Sequence, residues 1–184
     1  MTDSMIKRFP QDEPDRRDPS RPSSEGDETS QPAGKRGPGG SPARKQRRWA
    51  RERAAQGLYQ QLMNPIPVDQ LEAQFMEDSF MLRIDLDFFR RILRGVEQHA
   101  ADLDAAIEPH LDRPVDELDP IEHAILRLGA FELIHAVDVP RAIVINEAVE
   151  LAKRFGATDG HRYINGVLDR LADEVRSTEP RRDR

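Results

Sequence analysis

Asp138–Asp169 reads DVPRAIVINEAVELAKRFGATDGHRYINGVLD, and the fold is decided there. Ile145, Ala148, Val149, Ala152 and Phe155 recur at three- and four-residue spacing, which places them on one face of a helix. Pro140 stands at the start of that helix, where a missing N–H costs nothing, and Gly156 stands just past its end. Ile164, Val167, Leu168, Leu171 and Val175 repeat the pattern in a second helix. Asp159 precedes it as a candidate N-cap, with a carboxylate able to accept from first-turn amides. Two helices with apolar stripes and a short polar turn between them pack antiparallel, so the stretch predicts the nucleus of a helical bundle.

Outward from this nucleus the same periodicity continues. Asp119 caps a helix carrying Ile121, Ala124, Ile125, Leu128, Phe131 and Ile134. Asp85–His99 carries Leu86, Phe89, Ile92, Leu93 and Val96, and Leu103, Ile107 and Leu111 extend or follow it up to Pro114. Val68–Phe80 forms a further helix with Leu71, Phe75 and Met76 inward, and Pro65 and Pro67 separate it from a first helix over Arg44–Met63. No alternating strand pattern of useful length and no internal repeat is evident. The reading is an all-α domain, with an N-terminal three-helix group and a C-terminal group packed on it.

Residues 1–42 hold half of the 14 prolines and most of the serines, with mixed charges and almost no large apolar side chains. Such a segment buries too little surface to offset its ordering entropy and is expected to be disordered. The expected organisation is thus a tail over 1–42, a helical domain over 43–178 and a disordered C-terminus over 179–184. With 184 residues and no cysteine, disulfides, thiolate metal sites and cysteine nucleophiles are excluded. No apolar run reaches a membrane-spanning length and the first ten residues lack an apolar leader core, so a cytoplasmic protein without membrane contact is expected. The formal charge of −6 argues against a globally basic nucleic-acid binder, but not against a local basic surface.

Such a surface is visible in the first helix. Arg44, Arg47, Arg48 and Arg51 share one face, and that face runs on into Leu58 and Leu62. The simplest geometry packs the last turns into the bundle while the first turns overhang, holding the arginines together in solvent. Like charges so placed repel, which suggests an anionic partner; a solvated helix start helped by Glu52 is the plain alternative. Trp49 and Tyr59 lie off the centre of the cluster and read as core, although Tyr59 is near enough to reach a surface.

Catalytic chemistry finds little support. Glu132-Leu-Ile-His135 has the Glu-x-x-His spacing of di-iron bundles, but no second such pair exists, and a surface Glu and His near a helix end is favoured. No phosphate loop, His-Glu-x-x-His or nucleophile elbow occurs. Neither a metal, a cofactor nor an enzymatic activity is expected. Asn146 and Asn165 read as buried amides that satisfy loop carbonyls. Lys153, Arg154, Asp159, His161, Arg162 and Tyr163 bracket the last turn as an exposed patch or a protein or RNA contact. Glu122 and Arg127 read as a surface ion-pairing set or a partner contact.

Several motifs together resemble the NusB family of bacterial transcription antitermination factors. They are Arg47-Arg-Trp-Ala-Arg-Glu-Arg-Ala with Leu58-Tyr59, Ala124-Ile-Leu-Arg-Leu-Gly-Ala-Phe-Glu-Leu133, Val139-Pro140, Val144-Ile-Asn-Glu-Ala-Val-Glu-Leu-Ala-Lys153, Phe155-Gly156 and Tyr163-Ile-Asn-Gly-Val-Leu-Asp169. The similarity runs from about Arg47 to Arg176. It implies two packed three-helix bundles, no enzymatic activity, binding of the boxA element of ribosomal RNA transcripts, and a heterodimer with the ribosomal protein NusE in RNA polymerase antitermination complexes. By resemblance, Arg47, Arg48, Arg51 and Arg53 are RNA-contact candidates, extended by charge to Arg44 and Lys45. Asp159, Arg162 and Tyr163 match the loop and helix start near the RNA surface. Tyr59 and Glu122 match partner-contact positions, and Arg127 joins them on the same helix as Glu122. The long N-terminal tail departs from the short family forms. A NusB-like domain also opens some ribosomal-RNA methyltransferases, but here the chain ends soon after the last helix, which argues against that enzyme. A helical protein-interaction adaptor that never touches RNA is the remaining alternative.

Overall fold

The computed structural model describes residues 41–179; residues 1–40 of the expected 1–42 tail, and residues 180–184, lie outside them, while Pro42 begins the first helix. Seven α-helices follow in order: α1 Pro42–Met63, α2 Val68–Met76, α3 Leu86–Gln98, α4 Ala100–Ile107, α5 Pro120–His135, α6 Arg141–Phe155 and α7 Gly160–Val175. Among the described residues there is no strand.

The helix boundaries have local causes. Asp85 accepts a hydrogen bond from Phe88 N at 3.0 Å and starts α3. Asp119 accepts from Ile121 N at 2.9 Å, with Pro120 as the first residue of α5. Gly156 ends α6 by donating to Ala152 O at 2.8 Å, and a Cβ there would stand 2.7 Å from that same oxygen. The chain departs from the expected Val68–Phe80 helix because Asp78 accepts from Phe80 N at 2.8 Å, which diverts the backbone into a 3-10 turn over Ser79–Arg83. Asp159 precedes α7 but makes no side-chain cap bond. Its carboxylate lies 3.6 Å from the Arg162 guanidinium instead.

Helix α5 is the shared wall. It packs against α1 and α3 on one side and against α4, α6 and α7 on the other, which is why Ile121, Ala124, Ile125, Leu126, Leu128, Ala130, Phe131 and Leu133 are buried around its circumference. The architecture is therefore two helical bundles packed through a common helix. Close approach is bought with glycine: a Cβ on Gly129 would stand 2.6 Å from Leu168 Cδ1, and one on Gly95 would stand 2.2 Å from Phe131 Cζ. The α6–α7 pair buries Val144, Ile145, Ala148, Leu151 and Ala152 against Ile164, Val167, Leu168, Leu171 and Ala172. Val175 was expected in that stripe and is 41% exposed, because it is the last residue of α7 and Ala172 already closes the seam.

The C-terminal end of α5 is closed from a distance. The buried Arg176 guanidinium donates to the carbonyls of Glu132, Leu133, Ala136 and Val139 at 2.6–3.0 Å. A cation placed on these orphan carbonyls also complements the negative end of the helix dipole. Glu179, in the expected C-terminal tail, accepts from Arg141 N at 2.9 Å and from Arg176 at 3.0 Å, so the ordered structure extends to it.

Candidate nucleic-acid interface

The arginines of α1 do not share one fate. At about 100° per residue, Arg44, Arg48, Lys45, Trp49 and Arg53 follow one another at roughly 0°, 40°, 100°, 140° and 180° around the axis. Arg47 and Arg51 fall near 300° and 340°, the side that turns toward α3 and α5. Arg51 is accordingly buried, donating from Nε and Nη2 to Glu132 at 2.8 Å each. The expectation that all four guanidiniums stand together in solvent is thus corrected at Arg51. The favoured placement of Glu132 on the surface is corrected with it, since this carboxylate is fully buried. A buried carboxylate on α5 faces α1, and the arginine one turn below the overhang answers it.

The other cations of α1 remain accessible. Arg44, Lys45 and Arg48 are exposed, and Arg47 and Arg53 are half-buried. Each of the last three arginines has a carboxylate of the same chain within reach: Arg47 meets Asp85 at 3.3 Å, Arg48 lies 3.7 Å from Glu52 and 4.0 Å from Glu150, and Arg53 meets Asp78 at 2.9 Å. Exposed pairs of this kind contribute little. They orient the guanidiniums, and leave Arg47 and Arg48 at 44% and 50% side-chain exposure but Arg53 at 18%.

The turn before α7 forms a second polar patch. Arg162 and Asp159 are exposed, while Tyr163 is half-buried with the Arg113 guanidinium 5.3 Å from its ring centre. Burial first, and then the neighbouring Asp112 carboxylate, push the Tyr163 phenol above its ordinary value. Glu122 belongs to the same patch, since a Cβ on Gly160 would lie 2.5 Å from Glu122 Oε1. Burial, followed by Asp119, raises the Glu122 carboxyl. The structure thus brings together Glu122 from α5 and the Asp159–Tyr163 turn, which are distant in sequence.

Tyr59 and Arg127 are placed differently. Tyr59 is 6% exposed and belongs to the core side of α1. Arg127 is half-buried and engaged by its Nε and Nη2 with Asp104 at 2.8 and 2.5 Å, while His123 Nε2 lies 2.7 Å from the same carboxylate. Arg127 also lines one end of an apolar cleft of about 300 Å³ bounded by Leu58, Leu62, Val68, Leu93 and Val96. Asn165 donates to Asp169 at 2.8 Å, a bond along α7 in place of the expected loop carbonyl. No cluster of three or more His, Asp or Glu suited to a metal occurs among the described residues, nor is any helix there long and apolar enough to cross a membrane.

Of the two aromatic residues of α1 expected in the core, Tyr59 is buried and Trp49 is only partly so. Trp49 is half-buried and meets Phe80 edge-on at 5.3 Å, with Lys45, Arg53 and Arg83 arrayed over the two rings. The available signal was the spacing Lys45, Trp49, Arg53, which places a cation one turn to either side of the indole.

Fold and surface define an all-helical binding scaffold with a cationic, aromatic-flanked helix end and a polar turn beside its central helix. The NusB family model matches residues 48–173, and the chain belongs to that family. It is 49% identical over 156 residues to the transcription antitermination protein NusB of Marinobacter nauticus, a match covering 85% of this chain and 96% of that one. The corresponding protein of Nitrosococcus oceani is 50% identical over 130 residues, covering 71% and 87% of the two chains. Among solved structures, T. maritima NusB aligns with a TM-score of 0.61 at 30% identity, covering 70% of this chain and 91% of that one. A structure of antitermination factors NusB and NusE in complex with dsRNA aligns with a TM-score of 0.63 at 25% identity, covering 71% and 98%.

Proposed function

We propose that this protein is a transcription antitermination factor. In this reading it binds a boxA-type single-stranded element of ribosomal RNA transcripts together with the ribosomal protein NusE, and so modulates termination by RNA polymerase. The observation that carries the proposal is the cationic N-terminal half of α1, where Arg44, Lys45 and Arg48 are exposed and Arg47 and Arg53 are half-buried. The names of the relatives support it, as does a structural neighbour that holds NusB, NusE and RNA. The helical domain, expected over 43–178 and described from Pro42 to Glu179, is the functional unit, acting in the cytoplasm.

The mechanism has no chemical step. RNA phosphates replace the internal carboxylates as partners of Arg47, Arg48 and Arg53, and the released counterions make binding salt-dependent. Asp159, Arg162 and Tyr163 extend the RNA surface across the α6–α7 turn. Glu122, Arg127 and Tyr59 belong to the partner side, where Tyr59 acts by shaping the surface from beneath. Arg51 supports α1 through Glu132.

Binding of a labelled boxA-like RNA across a salt series, with and without NusE, tests this. Affinity is expected to fall with salt and to rise when NusE is added. Arg48→Ala is expected to reduce the salt slope by about 0.7, the value for one phosphate contact on a single strand, with the fold unchanged. NusE binding without any RNA binding would replace this reading with a protein-interaction adaptor.

A further inference from the structure

We infer that Trp49, flanked by Lys45 and Arg83, is a nucleobase-stacking subsite for single-stranded RNA on the side of α1 away from Arg47 and Arg51. The inference rests on the RNA-binding reading above and adds to it a second kind of contact, a base on an aromatic face.

Three observations lead there. The core aromatic residues of the same bundle are closed off, Phe88 at 4% and Phe89 at 0% exposure, whereas the Trp49 indole is only half-buried. Its orientation is fixed by the edge-on contact with Phe80, at 5.3 Å and 64°, and Phe80 is itself held in the turn capped by Asp78. Around the indole stand cations: Lys45 Nζ lies 4.6 Å from the ring centre and the Arg83 guanidinium 5.6 Å from it, both on exposed residues.

A preset aromatic ring with basic side chains around it is the arrangement that binds single strands, since bases stack and the cations take phosphates. Lys45 is long and flexible, so it can leave the indole for a phosphate as a base takes its place. The subsite also continues the cationic arc, because Lys45 stands about 60° around the axis from Arg48. A strand paired with Arg44 and Arg48 therefore reaches Trp49 without crossing the buried side of the helix. The density of positive charge favours a polyanion over a protein surface.

Trp49 is the single tryptophan of the chain, so its emission reports the site directly. The full-length protein is titrated with a short, unstructured, end-labelled RNA, following label anisotropy and tryptophan emission together. Controls are the same RNA with abasic positions and inorganic polyphosphate. The expected result is saturable quenching by the RNA in step with anisotropy, and much weaker quenching by the two controls at equal saturation. Trp49→Ala is expected to weaken binding about tenfold with the salt slope unchanged, and Trp49→Phe to retain most of the affinity. RNA binding by anisotropy with unaltered tryptophan emission would overturn the subsite while leaving the RNA-binding reading in place. Quenching that appears only when NusE is added would also overturn it, reassigning the ring to a protein contact. Absence of RNA binding in every arm would remove both readings.

Discussion

Arg51 on α1 and Glu132 on α5 meet in the interior through two parallel hydrogen bonds of 2.8 Å, with side chains 4% and 0% exposed. The Arg51 guanidinium also lies 4.8 Å from the Phe88 ring centre. One pair thus joins the helix that carries the cationic end to the helix that both bundles share. A bidentate arginine–carboxylate contact has a fixed geometry, so it sets the register of α1 as well as its attachment.

Removing one partner leaves the other charged and buried. Glu132→Gln is expected to lower stability by about 3–5 kcal/mol, whereas the double change Arg51→Met with Glu132→Leu returns much of that loss. Urea unfolding followed by circular dichroism measures both. A loss below about 1 kcal/mol for Glu132→Gln would show that the pair is not a structural tie.

Asp104 provides the clearest pH response. Burial alone raises its carboxyl, but hydrogen bonds from Arg127 and then His123 outweigh that and bring it from 3.8 to about 2. A carboxyl depressed in the folded state stabilises above its unfolded pKa, and that stability is lost as pH falls through the folded value. The contribution is thus complete above about pH 4 and declines toward pH 2. Asp104→Asn is expected to flatten the stability profile in that window and to lower stability at neutral pH. An acid-unfolding curve of unchanged shape would contradict the assignment.

Glycines separate by what surrounds them. Gly95→Ala drives a methyl into the Phe131 ring, 2.2 Å from Cζ, and overpacking of this kind is expected to cost about 1–3 kcal/mol. Gly166 lies within α7, where a Cβ meets only Arg170 Nη1 at 3.7 Å. Gly166→Ala is therefore expected to stabilise by about 0.5–1 kcal/mol. Thermal melts of the two variants should shift in opposite directions, and a common sign would refute the packing argument.

Much of the architecture was legible in the residues. The α6–α7 pair, the Asp119 cap and the stop at Gly156 depend on neighbours within a turn or two, and each stands where its spacing placed it. The short α2 was less legible, since Asp78 offered both a helical residue and a local acceptor for Phe80 N, and the second prevailed. The candidate interface was legible as charge but not as direction. Arg44, Lys45 and Arg48 are exposed as expected, but the same helical stripe led to Arg51, whose partner is 81 residues away.

Taken alone, the sequence determined an all-α protein with a basic first helix and a family likeness, because amphipathic spacing and capping are local properties of a helix. Tertiary structure decided which charges are available. Burial and pairing depend on what a neighbouring element presents: Glu132 draws Arg51 inward, Arg176 closes the end of α5, and the turn over Ser79–Arg83 sets Phe80 and Arg83 against a half-buried Trp49. Spacing within α1 sets Arg48 and Arg51 about 60° apart around the axis, but which of the two is buried lies in the surface of α5.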